Sequence, residues 1–458
     1  MAAPSAGGAT PQWSSRFAFL MASVGAAVGL GNLWRFPFQT GQNGGSAFVF
    51  VYLLCVVFVA YPILMGELAV GRHKGLSAIG SPAQLAKDIG KSPAWGVVGL
   101  VGVIGGGLIL TTYSVIAGQV MAYSAMSFLG EFAGRTGAEA AAAAPLYANS
   151  THALIWHTIF MAMTIGIVAQ GLHGGIERVS IFLMPLFFLM LAGLCVFAFV
   201  TGDAGKTLNY LFAPRFDEIT PGVVLAALGQ AFFSIGVGMA IMLTYGSFLD
   251  KKENIASSAA IIAGADTFVA VIAGLMIFPI VFTHGLDPAA GSGLIFDALP
   301  AAFAGMPGGR FIGGFFFFLA FIAAITSSIS LMLAVALIGE EQLKMNRVAA
   351  TLIFGVVIWA IGALAVLKPD IGSWLDFISG SVALPLGGLL IAIFAGWVAP
   401  REVMRKELPN TGAAMFSFWR LMIRYLAPIA VLFILLLGLD AKFNFGLNAF
   451  ISNLTAGN

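Results

Sequence analysis

The chain has 458 residues, 59% of them hydrophobic and 9% charged, with a mean hydropathy of +0.97. A soluble domain carries about a quarter charged residues, so this composition excludes soluble classes and identifies a polytopic membrane protein. The net charge of +2 gives no reason to expect a nucleic-acid partner.

Spanning a bilayer takes about 20 apolar residues. Eleven spans are expected in chain order, near 16–39, 44–71, 93–128, 152–171, 178–201, 221–248, 254–284, 310–340, 348–366, 373–397 and 417–438. The 57 Gly suit helices that pack closely in lipid. With the N-terminus inside, fifteen of the 22 basic residues fall on the inner side and seven on the outer. That asymmetry follows the positive-inside rule and puts the C-terminus outside. Residues 1–12 hold no Lys or Arg and the first apolar stretch is too long for a cleavable signal, so none is expected. Ala138–Pro145 is an expected external loop.

The first span contains Gly25, Gly29 and Gly31, followed by Asn32. The sixth contains Gly229, Gly236 and Gly238 around Gln230 and Ser234. Paired Gly-interrupted spans in two halves of a chain point to a transport site built on broken helices. Unwound backbone frees carbonyls for a cation. Helix packing explains Gly25-x-x-x-Gly29 equally well.

The seventh span buries Asp266 and the second carries Glu67 near its inner end. A carboxylate in mid-span costs about 2.5–3.5 kcal/mol, which makes a function the default reading. The eighth span carries Thr326-Ser327-Ser328. Hydroxyls in such helices commonly bond back to their own carbonyls, but three in succession also suit an oxygen-ligand site. Arg35 and Asp376 fall at outer span ends, where ordinary interfacial placement is common.

Other candidates fail. Gly90-Lys91-Ser92 resembles the end of a phosphate loop, but Leu85 stands where its first Gly belongs. Cys55 and Cys195 read as small packing residues. The five histidines show no ligand spacing and read as solvent or interface residues. No catalytic constellation emerges, so no enzyme is expected.

The run Val28-Gly29-Leu30-Gly31-Asn32-Leu33-Trp34-Arg35-Phe36-Pro37, with Asn43-Gly44-Gly45, resembles the signature of the neurotransmitter:sodium symporter family, bacterial amino-acid branch. Gly66-Glu67, Gly71-Arg72, Gly175-Ile176-Glu177-Arg178 with Pro185, Gln230–Gly238, Thr326-Ser327-Ser328 and Asp376-Phe377 follow in family order. The resemblance implies an all-α fold of two inverted five-helix repeats, about 16–201 and 221–397, in a single transporter domain. The first and sixth helices would be unwound, and an extra helix would follow near 417–438.

It also implies two sodium sites. The first would use Ala27, Asn32, Ser234, Asp266 and the substrate carboxylate. The second would use the carbonyls of Gly25, Val28 and Ala323 with the hydroxyls of Thr326 and Ser327. The substrate would lie against Ala26, Ala27, Gly29, Leu30 and Gly31 of the first helix. Ile109, Tyr113, Phe233, Ser234, Gly236, Met239, Ser327 and Leu331 would complete its pocket. Arg35 and Asp376 would form an outer gate, with Tyr113 and Phe233 as lids. Glu67 would hold the unwound sixth helix, and the Gly175-to-Pro185 spacing would let the fifth helix unwind. Trp13 and Glu341 would belong to the inner gate, which lacks the family's usual N-terminal Arg.

Monoamine-carrying members have Asp where this chain has Gly29, which favours an amino acid here. The implied pocket holds no charge, so a neutral, hydrophobic L-amino acid is expected. Asp266 replaces the usual Asn, and Ala270 stands where chloride-dependent animal members have Ser. Asp266 is therefore expected to supply the negative charge that chloride would bring, although Tyr52, Gln230 and Ser234 leave chloride binding open. The expected location is a bacterial inner membrane, with sodium, substrate and lipid as partners and no obligatory protein partner. Proton coupling or counter-transport, and a non-transporting sensor or channel, are the alternative readings.

Overall fold

The computed structural model describes residues 11–132, 149–289 and 294–447; the expected loop Ala138–Pro145 lies outside them. Among the described residues, nine continuous helices are long and apolar enough to cross a membrane. They are Ser46–Lys74, Pro93–Leu129, Ser150–Ala169, Leu172–Thr201, Ile255–Thr283, Gly309–Gln342, Arg347–Leu367, Pro369–Val398 and Ala413–Phe443. The remaining two are interrupted. The first helix is a pair, Arg16–Ala27 and Gly31–Gln42, bent by 48°. The sixth is Pro221–Ile235 followed by Ile241–Ser247. The eleven expected spans are all present as helix, with ends shifted by a few residues.

Both breaks have local causes. The first helix stops because Val28 leaves helical backbone (ψ 108°) and no regular turn resumes before Gly31. The sixth stops at Gly236 and Gly238, with φ of 71° and 87°, a region glycine enters without steric cost. Gly238 also lies so close to the tenth helix that a Cβ would stand 2.4 Å from the Leu384 carbonyl oxygen. Ala240 then takes a left-handed conformation at φ 60° before helix resumes.

The third and eighth helices form the most extensive pairing in the bundle. The eighth is buried over most of its length, whereas the fourth, fifth, ninth and eleventh expose much of theirs. Those exposed faces are apolar, as lipid contact requires. The fifth helix is wound throughout Leu172–Thr201, with Pro185 inside it. His157 corrects the solvent reading of the histidines: it is fully buried in the fourth helix, with Nε2 3.1 Å from the Trp359 carbonyl.

At one end of the bundle the linker helix Arg401–Glu407 docks Glu407 among cations. Lys251 Nζ donates to both carboxylate oxygens at 3.0 and 3.2 Å, Arg72 Nε donates at 3.3 Å, and His73 Nδ1 lies 2.9 Å away. Burial by itself would raise this carboxyl, but the hydrogen bonds from His73 and Lys251 and the charges of Lys251 and Arg72 hold it down to about 2. A depressed carboxyl stabilises the fold above its unfolded value and loses that contribution as pH falls towards the folded one. The melting temperature is therefore expected to be flat above pH 5 and to fall between about pH 4.5 and 2. Glu407→Gln should flatten that acid limb and cost about 2 kcal/mol at neutral pH, after allowance for partial exposure.

Candidate ion and substrate site

The two broken helices meet the seventh and eighth helices in two clusters of oxygen atoms. In the first, Asn32 Nδ2 donates to Asp266 Oδ1 at 2.7 Å, to the Asp266 carbonyl at 2.9 Å and to Ser234 Oγ at 3.1 Å. Ser234 Oγ lies 2.9 and 3.1 Å from the two Asp266 oxygens, and Tyr52 Oη lies 3.5 Å from Oδ2. Asn32, Tyr52 and Asp266 are fully buried. Asn32 Oδ1 accepts the Gly29 N–H at 2.9 Å, which pins the bend of the first helix to this cluster. Gln230 Nε2 donates to the Gly31 carbonyl at 3.0 Å, joining one broken helix to the other. The structure thus gathers Asn32, Ser234 and Asp266, with Ala27 buried nearby on the same bend.

The second cluster centres on Ser327. Its Oγ lies 3.1 Å from the Ala323 carbonyl, 3.3 Å from that of Val28 and 3.4 Å from that of Gly25. A hydroxyl has one proton to donate, so at least two of these three contacts bring oxygen to oxygen without a bridging hydrogen. Thr326 Oγ1 bonds back to Ile322 and Ala323 at 3.0 and 3.1 Å. Ser328 faces away, towards Thr164 Oγ1 at 2.9 Å. All five residues expected for a second sodium therefore converge, and the third hydroxyl of the run is excluded from them. Hydroxyl and carbonyl oxygens are the donors that hard cations prefer. Met184 and Thr326 close over Gly25, where a Cβ would meet the Met184 sulfur at 3.0 Å and Thr326 Cβ at 3.1 Å.

Between the clusters lies Gly29. A Cβ there would stand 2.9 Å from Ser327 Oγ and 3.2 Å from Tyr113 Oη. Tyr113 Oη also lies 3.5 Å from the Leu30 amide. Beyond Tyr113 and Phe233 a cavity of about 640 Å³ opens, floored by Leu30, Gly31, Ile109, Tyr113 and Phe233 and walled by Arg35 and Asp376. The Arg35 guanidinium lies 4.5 Å above the Phe233 ring. No ion pair within 4.0 Å joins Arg35 to Asp376. The expected gate residues share one cavity but do not touch across it.

Below the lids, Leu331 and Met239 pack against Gly106 of the third helix: a Cβ there would stand 3.0 Å from Leu331 Cδ2 and 3.2 Å from the Met239 carbonyl. Sequence reasoning missed Gly106 and Gly102, although both fall in the glycine-rich stretch that continues through Gly105 and Gly107 of that helix. Met239 Cε lies 3.7 Å from where a Gly236 Cβ would stand. Ala26 is buried on the first helix. Glu67 Oε1 accepts the Gly238 N–H at 2.7 Å, holding the unwound part of the sixth helix. Glu67→Ala leaves that buried N–H without a partner and should cost about 1–3 kcal/mol, read as a lower melting temperature.

The end of the bundle opposite the cavity is sealed. Trp13 donates through Nε1 to the Tyr245 carbonyl at 3.1 Å and through its backbone N–H to Phe248 at 3.2 Å. Its ring packs on Phe19, Tyr245 and Phe248. The Ser14 amide donates to Glu177 Oε1 at 2.8 Å, and Arg16 pairs with Glu253 at 3.0 Å. Glu341 is engaged by the amide and hydroxyl of Ser77. Sequence reasoning missed Glu177 and the Arg16–Glu253 pair in this seal. Glu177 sits in the Gly175-Ile176-Glu177-Arg178 run, where Gly175 passes so near the Ile167 carbonyl that a Cβ would stand 1.9 Å from its oxygen.

The model of the sodium:neurotransmitter symporter family matches residues 10–142 and 147–452. The chain is 36% identical to an uncharacterized sodium-dependent transporter, YhdH, of Bacillus subtilis, over 93% of this chain and 97% of that one. It is 32% identical to an uncharacterized sodium-dependent transporter of Haemophilus influenzae, over 92% and 96%. Among solved structures it is similar to that of MhsT in complex with L-phenylalanine, with a TM-score of 0.85 and 39% identity, over 93% of this chain and 99% of that one.

Proposed function

The chain belongs to the sodium:neurotransmitter symporter family, and from that premise we propose that it imports a neutral, hydrophobic L-amino acid together with sodium by alternating access. It is a sodium-dependent membrane transporter rather than an enzyme. The observation that carries the finer reading is the position of Gly29 between two oxygen clusters. Its N–H reaches Asn32 of the first cluster, and its Cα faces Ser327 of the second. A substrate carboxylate placed there would add oxygen to the first cluster, so substrate and ion would each stabilise the other. That is the coupling a symporter requires.

In this reading the first sodium is held by Ala27, Asn32, Ser234 and Asp266, the second by Gly25, Val28, Ala323, Thr326 and Ser327. Asp266 supplies fixed negative charge beside the first ion, so chloride is not required. The side chain of the substrate lies among Ala26, Ile109, Tyr113, Phe233, Gly236, Met239, Ser327 and Leu331, none of them charged. Met239 is the adaptable wall of that pocket, and the relative solved with L-phenylalanine fits the same preference. The Arg35 end is the outside, following the excess of basic residues at the Trp13 end. The structure is then an outward-facing form with Tyr113 and Phe233 already over the site. Entry of Arg35 and Asp376 into a direct pair would complete closure above. Release below requires Trp13 and Ser14 to leave Tyr245, Phe248 and Glu177.

Gly29→Asp should push Ser327 and Tyr113 apart and weaken amino-acid binding at least about tenfold, a change of 1.4 kcal/mol. A calorimetric screen of the twenty amino acids with purified protein, in sodium and in choline, tests the reading as a whole. Binding is expected only in sodium and only for neutral hydrophobic side chains. Glycine or taurine binding without competition from leucine or tryptophan would refute the substrate class. Uptake that follows a pH gradient without sodium would favour proton coupling through Asp266 instead.

A further inference from the structure

The tenth helix ends at Val398, the linker helix Arg401–Glu407 follows, and the eleventh helix begins at Ala413. Three arginines gather at this turn. Arg420 donates to the carbonyls of Ala395 at 2.8 Å and Ala399 at 3.2 Å, capping the end of the tenth helix. Arg424 stacks on Trp397 with its guanidinium 4.1 Å from the ring centre, and its Nε is buried without a hydrogen-bond partner. Arg401 reaches over from the linker helix to the eleventh, its guanidinium 5.9 Å from the Phe416 ring centre. Among the described residues, Arg401, Arg420 and Arg424 make no ion pair within 4.0 Å, and the side chains of Arg401 and Arg424 donate no hydrogen bond.

A guanidinium carries five N–H donors in a fork that matches phosphate oxygens. Three of them placed together, with most donors unspent, repel one another until an anion arrives. The surroundings say where that anion comes from. Trp397 and Tyr425 are about half exposed, and Leu421 and Leu426 are exposed beside them. Such aromatic rings sit at headgroup level, and the leucines offer an apolar wall to acyl chains. Basic pockets between helices on the inner side are the setting in which anionic headgroups bind.

We propose that Arg401, Arg420 and Arg424 form a specific site for the phosphate of an anionic phospholipid, between the tenth and eleventh helices at the Trp13 end. The ligand is a lipid because the arginines are bordered by the exposed apolar and aromatic side chains of Trp397, Tyr425, Leu421 and Leu426. Arg401 contributes from the same linker helix that inserts Glu407 among Arg72, His73 and Lys251, so a bound headgroup also fixes that helix in place.

Native mass spectrometry of the full-length protein, with equimolar phosphatidylglycerol and phosphatidylcholine, reads the site directly. The parent should retain phosphatidylglycerol preferentially. Each arginine near an anionic headgroup contributes roughly a fivefold factor, so Arg401→Gln with Arg424→Gln should reduce that preference about 25-fold. Arg401→Gln alone removes an exposed side chain without hydrogen bonds and should reduce it about fivefold, which keeps the test available if the double variant does not fold. Lys87→Gln with Lys91→Gln, exposed at the same end, should change nothing. Absence of a preference in the parent, an unchanged preference in the Arg variants, or an equal loss in the Lys variant would overturn the site. Displacement of the lipid by millimolar inorganic phosphate would overturn its assignment to a lipid.

Discussion

Replacing Thr326 and Ser327 together with alanine is expected to abolish sodium-dependent uptake. In the proposed second site these hydroxyls are the only side-chain ligands; the other three are carbonyls of Gly25, Val28 and Ala323, which the substitutions leave in place. A hard cation stripped of its water needs a nearly complete set of oxygens. Loss of two from five should cost sodium affinity at least about a hundredfold, equivalent to 2.7 kcal/mol. The fold should survive, because Thr326 bonds mainly back to its own helix and alanine is the better helix former. Sodium activation of uptake in proteoliposomes, measured beside the melting temperature, checks both halves. Unchanged sodium activation would rule out the second site as drawn.

Asp266→Asn is the second variant with a large expected effect. Asp266 Oδ1 lies 2.7 Å from Asn32 Nδ2, and both of its oxygens lie within 3.1 Å of Ser234 Oγ. An amide in that place either sets its own N–H₂ against that of Asn32 or turns it towards Ser234 and the ion. Either way the fixed charge beside the first sodium is gone. Unit charges about 4 Å apart interact by about 4 kcal/mol at the effective dielectric of a protein site, an upper bound here. The sodium concentration for half-maximal uptake should therefore rise at least about tenfold, with the maximal rate less affected. Parent uptake should be unchanged when chloride is replaced by gluconate at fixed sodium. A drop to background in gluconate would show that chloride, not Asp266, supplies the charge.

The parts of the site legible in the sequence are those that cost something wherever they occur. A carboxylate in an apolar span, a run of hydroxyls and glycines that interrupt a helix are each conspicuous without knowledge of their partners. Asp266, Ser327 and the breaks near Gly29 and Gly236 stand out on that ground, and the family resemblance is what assigns them to two expected ion sites. The GxxxG ambiguity resolved towards breakage because the residue after Ala27 leaves helical backbone and the Gly29 amide turns to Asn32.

What stayed hidden depends on pairs far apart in the chain. Ser14 meets Glu177 across 163 positions and Arg72 meets Glu407 across 335. No periodicity or spacing encodes such contacts, and a charged residue at a span end has an ordinary interfacial explanation. The resemblance puts Trp13 and Glu341 at an inner gate without the family's usual Arg, and nothing in the sequence says how such a gate closes. In the structure Trp13 lodges in a socket of Tyr245 and Phe248, and Glu341 is occupied by Ser77. Gly102 and Gly106 escaped notice for another reason: glycine is so common in this chain that only the nearness of Ala240, Met239 and Leu331 distinguishes them.

Sodium-coupled import is decided by uptake of labelled L-leucine and L-phenylalanine into proteoliposomes, with sodium gradients imposed in either direction and no pH gradient. Accumulation above the outside concentration is expected only with sodium directed inward, and it should collapse when the sodium gradient is dissipated. Equal entry with and without a sodium gradient, or equilibration without accumulation, would contradict sodium-coupled import.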